Sequence, residues 1–279
     1  MRICSIRVKG EAHVGVVTAR GVVDATAAGF ARTLDDIIAG APRDTLAAME
    51  NDAALPIVEA PEYLNIVTRP GKLVCVGLNY RAHAEKVDLK SADVPILFSK
   101  FADSLVPSGA CVTLPAWEDS YDYEAELVIV MGKRAWNVTE EEAPSHIFGY
   151  TCGNDLSCRV PQKRTSQWLI GKALPGFGPC GPCIATADGF DPLSGKRIRS
   201  WVNGELRQDG STADMIHSCT HIVSYASHYI ALEPGDLIFT GTPSGVALEK
   251  HGDEQKWLRP GDVVDVEIEG IGRLTNKMV

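Results

Sequence analysis

Three acidic positions are the first residues in this chain whose type and spacing suggest chemistry. Glu124 and Glu126 stand two apart in Tyr121-Asp122-Tyr123-Glu124-Ala125-Glu126, which runs straight into an apolar segment at 127–131. On an extended strand, residues two apart project from the same face, so the two carboxylates would lie side by side. Like charges that close repel unless a cation sits between them. An all-oxygen set suits hard Mg²⁺, Mn²⁺ or Ca²⁺ better than Zn²⁺. Asp155 ends the run Gly149-Tyr150-Thr151-Cys152-Gly153-Asn154-Asp155, placed to turn a third carboxylate inward. Taken singly, the glutamates also suit a solvated strand edge, and Asn154-Asp155 suits an ordinary turn.

Cys180-Gly181-Pro182-Cys183 is a rival source of chemistry, since C-x-x-C is the pattern of thiol redox proteins. A reactive thiol of that kind needs its first cysteine at a helix N-terminus. Here Pro175-Gly176-Phe177-Gly178-Pro179 precedes the motif and Ile184-Ala185-Thr186-Ala187 comes after it, which reads as loop into strand. A thiol redox function is therefore a distant alternative. No second close cysteine pair completes a zinc site, and Cys152 and Cys158 are too far apart for the usual spacing.

The elements that must position these groups are mostly strands. Alternating runs at 2–8 and 13–17, with Val22-Val23-Asp24 behind Gly21, predict a small meander. A helix is expected through Leu34-Asp35-Asp36-Ile37-Ile38, and Pro56, Pro61 and Pro70 punctuate the next stretch of chain. The reading is a small N-terminal α/β domain at 1–68 and a larger domain at 69–279. Short apolar strands are expected at 73–76, 127–131, 237–240 and 263–268. Thr139-Glu140-Glu141-Glu142 has capping-box spacing and predicts a helix start. Another helix is expected over roughly 214–232, where Met215, Ile222, Tyr225 and Tyr229 recur at near-helical spacing before Pro234-Gly235. Strands outnumber helices without alternating regularly with them, which makes the chain α+β and β-rich.

The 279 residues are 45% hydrophobic and 23% charged, the composition of a globular chain with a sizeable core. A net charge of −9 argues against nucleic acid or an anionic membrane as partner. It also opposes an anionic substrate unless a bound cation reverses the local field. No apolar stretch approaches the roughly 20 residues of a membrane helix, and the N-terminus lacks a signal-peptide core. Eight irregularly spaced cysteines read as reduced thiols. The expected compartment is cytoplasmic, where the sequon Asn137-Val138-Thr139 carries no glycan.

Along the chain a longer series of blocks emerges. Arg69-Pro70-Gly71-Lys72 leads to Val76-Gly77-Leu78-Asn79-Tyr80-Arg81-Ala82-His83, then to Asp122-Tyr123-Glu124-Ala125-Glu126-Leu127. Gly153-Asn154-Asp155-Leu156-Ser157-Cys158-Arg159, Gly171-Lys172 and Asn203-Gly204-Glu205-Leu206-Arg207-Gln208-Asp209-Gly210 come next, and Thr240-Gly241-Thr242-Pro243-Ser244-Gly245 closes the series. This order resembles the catalytic domain of the fumarylacetoacetate hydrolase family across 69–279. Residues 1–68 look like the short N-terminal extension of its bacterial members.

The resemblance implies a mixed β-sheet roll, usually a homodimer, with a divalent metal on Glu124, Glu126 and Asp155. The metal would be Mg²⁺ or Mn²⁺, with Ca²⁺ a substitute in crystals. It implies His83 as general base. Family hydrolases often pair that histidine with a glutamate three residues on, where this chain has Lys86, so Glu85 or Asp88 would have to serve. Lys172 would face the substrate's oxygens and stabilise an oxyanion. Arg159, Gln162 and Tyr80 would bind substrate, and Thr242 would donate its hydroxyl to the substrate carboxylate. The implied activity is C–C hydrolysis of a small 1,3-dioxo carboxylate of acylpyruvate or fumarylpyruvate type. Decarboxylation of oxaloacetate, or isomerisation or hydration of unsaturated 2-oxo diacids, is the alternative on the same scaffold.

Overall fold

In the computed structural model, which describes residues 1–82 and 93–279, the apolar run behind Glu126 forms the strand Ala125–Met131. All seven of its residues are buried. Alternation divides them between two cores: Leu127, Ile129 and Met131 face one, Val128 and Val130 the other. A strand covered on both faces needs apolar side chains at every position, so its sequence reads as a continuous run. It pairs antiparallel with Ile147–Asn154 along one edge and with Leu237–Phe239 along the other. Leu237–Phe239 runs parallel to Leu73–Gly77, and Gly178–Thr186 links Ile147–Asn154 to the N-terminal strand Arg2–Val8. Among the described residues this makes a twelve-stranded mixed sheet, shared by strands of 1–68 and of 69–279. The fold is β-rich α+β, as expected.

A second sheet packs across the first. It contains, in order, Glu205–Ser211, Arg197–Val202, Val263–Ile268, Gly272–Met278 and Cys111–Val112. Its Ile198, Val266, Ile268 and Leu274 share a core with Leu127 and Ile129. Each fully buried aliphatic side chain of this size contributes about 1.5–3 kcal/mol to stability. Leu34–Ile38 forms the expected short helix, capped by Thr33, and adds Leu34, Ile37 and Ile38 to the core that holds Val128 and Val130. No helix among the described residues is long and apolar enough to cross a membrane.

Two helix expectations need correction. Thr139 and Glu142 do exchange capping-box hydrogen bonds, at 2.9 and 3.2 Å, but only a 3₁₀ turn at Ala143–His146 comes after them. Pro144 lacks the N–H that would bond back to Glu140, so the α-turn does not propagate. The second helix is shorter than 214–232 and spans Cys219–Ser227. Ser218 caps it through His221 N–H, while Ile216 and His217 before it are bonded to Asn79 in an extended path. Its buried stripe is Cys219, Ile222, Val223 and Ala226, and Tyr229 points to solvent. A further helix at Asp44–Glu50 was not anticipated.

Candidate active site

Strand register brings the acidic residues together. Ala125 pairs with Asn154, so the next positions outward on the two strands, Glu124 and Asp155, meet across the end of the ladder. Asp155 N–H bonds to Glu124 C=O at 2.9 Å, and Glu124 N–H to Asn154 Oδ1 at 3.0 Å. Glu126 projects from the same face as Glu124, two residues on. Carboxylate oxygens of Glu124, Glu126 and Asp155 lie within 4.8 Å of one another, and all three residues are buried. Three buried carboxylates this close, offering oxygen donors only, fit a hard divalent cation.

Three buried cations answer them. Lys172 Nζ donates to Glu124 Oε2 at 2.7 Å and to Asp155 Oδ2 at 2.8 Å. Arg159 Nη2 reaches Glu124 Oε1 at 2.6 Å, its Nε donates to Asp122 Oδ2 at 2.8 Å, and its Nη1 donates to Gln162 Oε1 at 3.0 Å. Lys100 Nζ lies 2.6 Å from Asp155 Oδ1 and donates to the carbonyls of Leu156, Phe177 and Lys172. Sequence reasoning missed Lys100 and Asp122. Lys100 ends the strand Ile96–Lys100, on the same side as Phe98, and that alternation was the available signal. Gly171 lets the turn carrying Lys172 approach Gln162, because a β-carbon there would fall 2.5 Å from Gln162 N.

Four carboxylates (Asp122, Glu124, Glu126, Asp155) against three cations leave one unmatched negative charge. Glu126 is the group that would bear it when ionised: its carboxyl oxygen accepts from Gly241 N–H at 2.8 Å, and no basic side chain among the described residues forms an ion pair with it. Burial, then the charges of Asp155 and Glu124, push its carboxyl well above the ordinary carboxylate range. Burial alone would depress Lys172, but Asp155 and Glu124 outweigh it and hold the ammonium above its usual range. A raised Glu126 binds its proton more tightly folded than unfolded. The metal-free fold therefore loses stability as pH rises from the ordinary carboxylate value through the raised one. A metal ion held by the triad would have to displace that proton. The rise in melting temperature caused by Mn²⁺ is thus expected to be larger at about pH 8 than at about pH 6, at equal free Mn²⁺, by differential scanning calorimetry. An equal rise at both values would contradict the assignment of the proton.

A cavity of about 330 Å³ opens onto this cluster, lined among the described residues by Glu124, Glu126, Lys172, Arg159, Gln162, Thr242, Lys163 and Thr165. Val76, Leu78, Phe98, Trp168 and Leu248 add apolar wall. The Trp168 ring packs against bare backbone at Gly77, where a β-carbon would lie 2.3 Å from it and would displace the ring. Of the expected site residues, the structure thus brings together Glu124, Glu126, Asp155, Lys172, Arg159, Gln162 and Thr242. Three placements differ in detail from expectation. The Thr242 hydroxyl donates to Ala125 C=O at 2.9 Å and accepts from Gln208 Nε2, so its proton is not aimed at a substrate. Arg159 lines the cavity and is at the same time bonded to Asp122 and Glu124 of the chain itself. Tyr80 is 2% exposed and is not among the residues lining the cavity. His83 and Glu85, with Lys86 and Asp88, lie outside the described residues.

Cys180 and Cys183 sit inside the strand Gly178–Thr186, not at a helix start. Burial raises both thiols, Cys183 to about 12, which is the opposite of a reactive pair. Of the eight cysteines, Cys111 alone is exposed. A thiol reagent added to the native protein is expected to titrate about one thiol rapidly and the rest only on denaturation. Fast reaction of three or more would reopen the redox reading.

The chain is similar to several known proteins. Residues 72–279 match the sequence profile described as fumarylacetoacetate (FAA) hydrolase C-terminal. Human oxaloacetate tautomerase FAHD2A, mitochondrial, is 38% identical over 231 residues, covering 81% of this chain and 73% of that protein. The structure of a fumarylacetoacetate hydrolase from Exiguobacterium antarcticum superposes with a TM-score of 0.88, at 36% identity, covering 100% of this chain and 99% of the other. Maleylpyruvate hydrolase from Sphingobium sp. SYK-6, solved with manganese (II) ion and pyruvate, gives a TM-score of 0.82 at 27% identity, covering 100% and 99%.

Proposed function

The chain belongs to the fumarylacetoacetate hydrolase family, and on that premise we propose that it is a divalent-metal-dependent enzyme of small 2-oxo carboxylates. The buried Glu124, Glu126 and Asp155 triad, with Glu124 and Glu126 on the cavity wall and the Lys172 ammonium bonded to Glu124 and Asp155, carries this reading. Bound there, Mg²⁺ or Mn²⁺ would act as a Lewis acid on a 2-oxo carboxylate. Lys172 supplies a fixed positive charge beside the oxygen that becomes negative when the adjacent carbon loses its proton. Phe98, Trp168 and Leu248 restrict water on the apolar side. Lys163 lines the same cavity with no carboxylate partner among the described residues, which suits a second carboxylate on the substrate.

The reaction favoured is keto–enol proton transfer on a 2-oxo dicarboxylate. It needs only a stabilised oxyanion and a proton acceptor, for which His83, with Glu85 or Asp88 beside it, is our candidate. The tautomerase among the relatives supports the same reading. C–C hydrolysis of an acylpyruvate is the second reading, supported by the hydrolases among the structural neighbours. Incubation with Mn²⁺ and either oxaloacetate or acylpyruvates separates them. Accelerated loss of the oxaloacetate enol absorbance, abolished by a chelator and restored by Mn²⁺, is the expected result. Release of pyruvate with a second acid would instead establish hydrolysis, and CO₂ release decarboxylation. Inertness toward every one of these substrates would overturn the proposal.

A further inference from the structure

Beside the triad, the main sheet loses its ladder. The antiparallel register of Ala125–Met131 with Leu237–Phe239 ends at Val128 and Phe239, yet the chain continues alongside through Thr240, Gly241 and Thr242. One last backbone bond, Thr240 N–H to Leu127 C=O at 3.0 Å, closes the ladder, and from there side chains first supplement and then replace it. The Thr240 hydroxyl donates to Leu127 C=O at 2.8 Å, and the Thr242 hydroxyl to Ala125 C=O at 2.9 Å. Between them Gly241 N–H turns to the Glu126 carboxylate. The remaining group, Ala125 N–H, donates to Gln208 Oε1 at 2.9 Å.

Gln208 comes from Glu205–Ser211, the outermost strand of the second sheet. Its amide is 1% exposed, and all four of its hydrogen-bonding positions are filled. Oε1 accepts from Ala125 N–H and from the Ser200 hydroxyl at 2.8 Å. Nε2 donates to Thr242 Oγ1 and to Pro243 C=O, both at 2.7 Å. One side chain therefore grips the residue between Glu124 and Glu126 and, with its other end, the turn whose Gly241 N–H holds Glu126. Core packing alone does not call for this: an apolar residue would fill the same volume, and a buried amide is tolerated only where it is fully paired.

We propose that Gln208 is a positioning residue that sets the geometry of the Glu124–Glu126 ligand pair, and through it the affinity for the divalent cation. The inference rests on the metal site assigned to Glu124, Glu126 and Asp155. Outer partners that orient metal ligands are worth about 10–100-fold in metal affinity.

Direct Mn²⁺ binding, followed by electron paramagnetic resonance of the free ion on protein shown to be folded by circular dichroism, is the test. Gln208→Met keeps the volume and removes all four bonds, and Mn²⁺ affinity is expected to fall by about 10–100-fold. Leu274→Ala, a cavity in the same sheet away from the site, controls for lost stability and should stay within about twofold of the unmodified protein. If Gln208→Met does not fold, Ser200→Ala removes one of the amide's partners and should weaken Mn²⁺ by about threefold or more. A folded Gln208→Met (or, failing that, Ser200→Ala) that binds Mn²⁺ as tightly as the unmodified protein would overturn the inference, as would equal weakening in Leu274→Ala. Absence of Mn²⁺ binding by the unmodified protein would overturn the metal reading together with it, which keeps the two failures distinguishable.

Discussion

Replacing Glu126 by glutamine is expected to leave the metal-free protein at least as stable as before while removing most metal-dependent turnover. The asymmetry comes from the electrostatics of the cluster. Glu126 is the carboxylate without a basic partner among the described residues, and burial with two adjacent acids makes its ionised form costly. In the absence of metal, glutamine resembles the protonated side chain it replaces and keeps the acceptor for Gly241 N–H. With metal, glutamine offers a neutral oxygen where an anionic one is needed. A metal Lewis acid stabilises the transition state by several kcal/mol, so kcat/KM should fall by about 10³-fold. The pH dependence of the Mn²⁺-induced stabilisation should vanish in the same variant. Calorimetry with and without Mn²⁺, beside steady-state kinetics, reads both. Full activity in Glu126→Gln would remove this residue from the metal site.

Lys172→Met should split stability, metal affinity and catalysis in a different way. The lysine is 2% exposed and bonded to Glu124 and Asp155, so its loss leaves two buried carboxylates short of a partner. Breaking a buried pair by removing one member costs about 3–5 kcal/mol, and the metal-free variant should melt correspondingly lower. A divalent cation shares those oxygens and is repelled by the ammonium, so Mn²⁺ should bind the variant at least as tightly and recover much of the lost stability. Turnover should nevertheless fall by about 10²–10³-fold at saturating Mn²⁺, because the fixed charge facing the developing oxyanion is gone. A variant with lower Mn²⁺ affinity and unchanged kcat would show that Lys172 only supports the metal ligands. The expected pattern is the reverse.

The two variants separate roles that the sequence presents as one acidic and one basic motif. Both expectations depend on tertiary facts: which carboxylate lacks a cation, and which oxygens the ammonium touches. Lys100 makes the same point. It carries no motif of its own, yet its fully buried ammonium ties Asp155 to the carbonyl of Lys172 and fixes the two halves of the site together.

Sequence alone determined a good deal. The apolar runs 127–131 and 263–268 read as strands, and the alternating segments near the N-terminus gave theirs directly. Period-two geometry placed Glu124 and Glu126 on one face before any fold was known. The order of blocks along the chain then identified the family. Local signals failed where a neighbour outweighed them, as Pro144 did for the capping box at Thr139, and Asn79 for the start of the second helix. What only the tertiary structure decided was partnership. The register Ala125–Asn154 sets Asp155 opposite Glu124. The Thr242 hydroxyl is turned onto the neighbouring strand at Ala125, and Gln208 is brought in from the second sheet. These contacts join residues far apart in sequence, and their energies come from burial and pairing in a low-dielectric interior, which residue type and spacing do not encode.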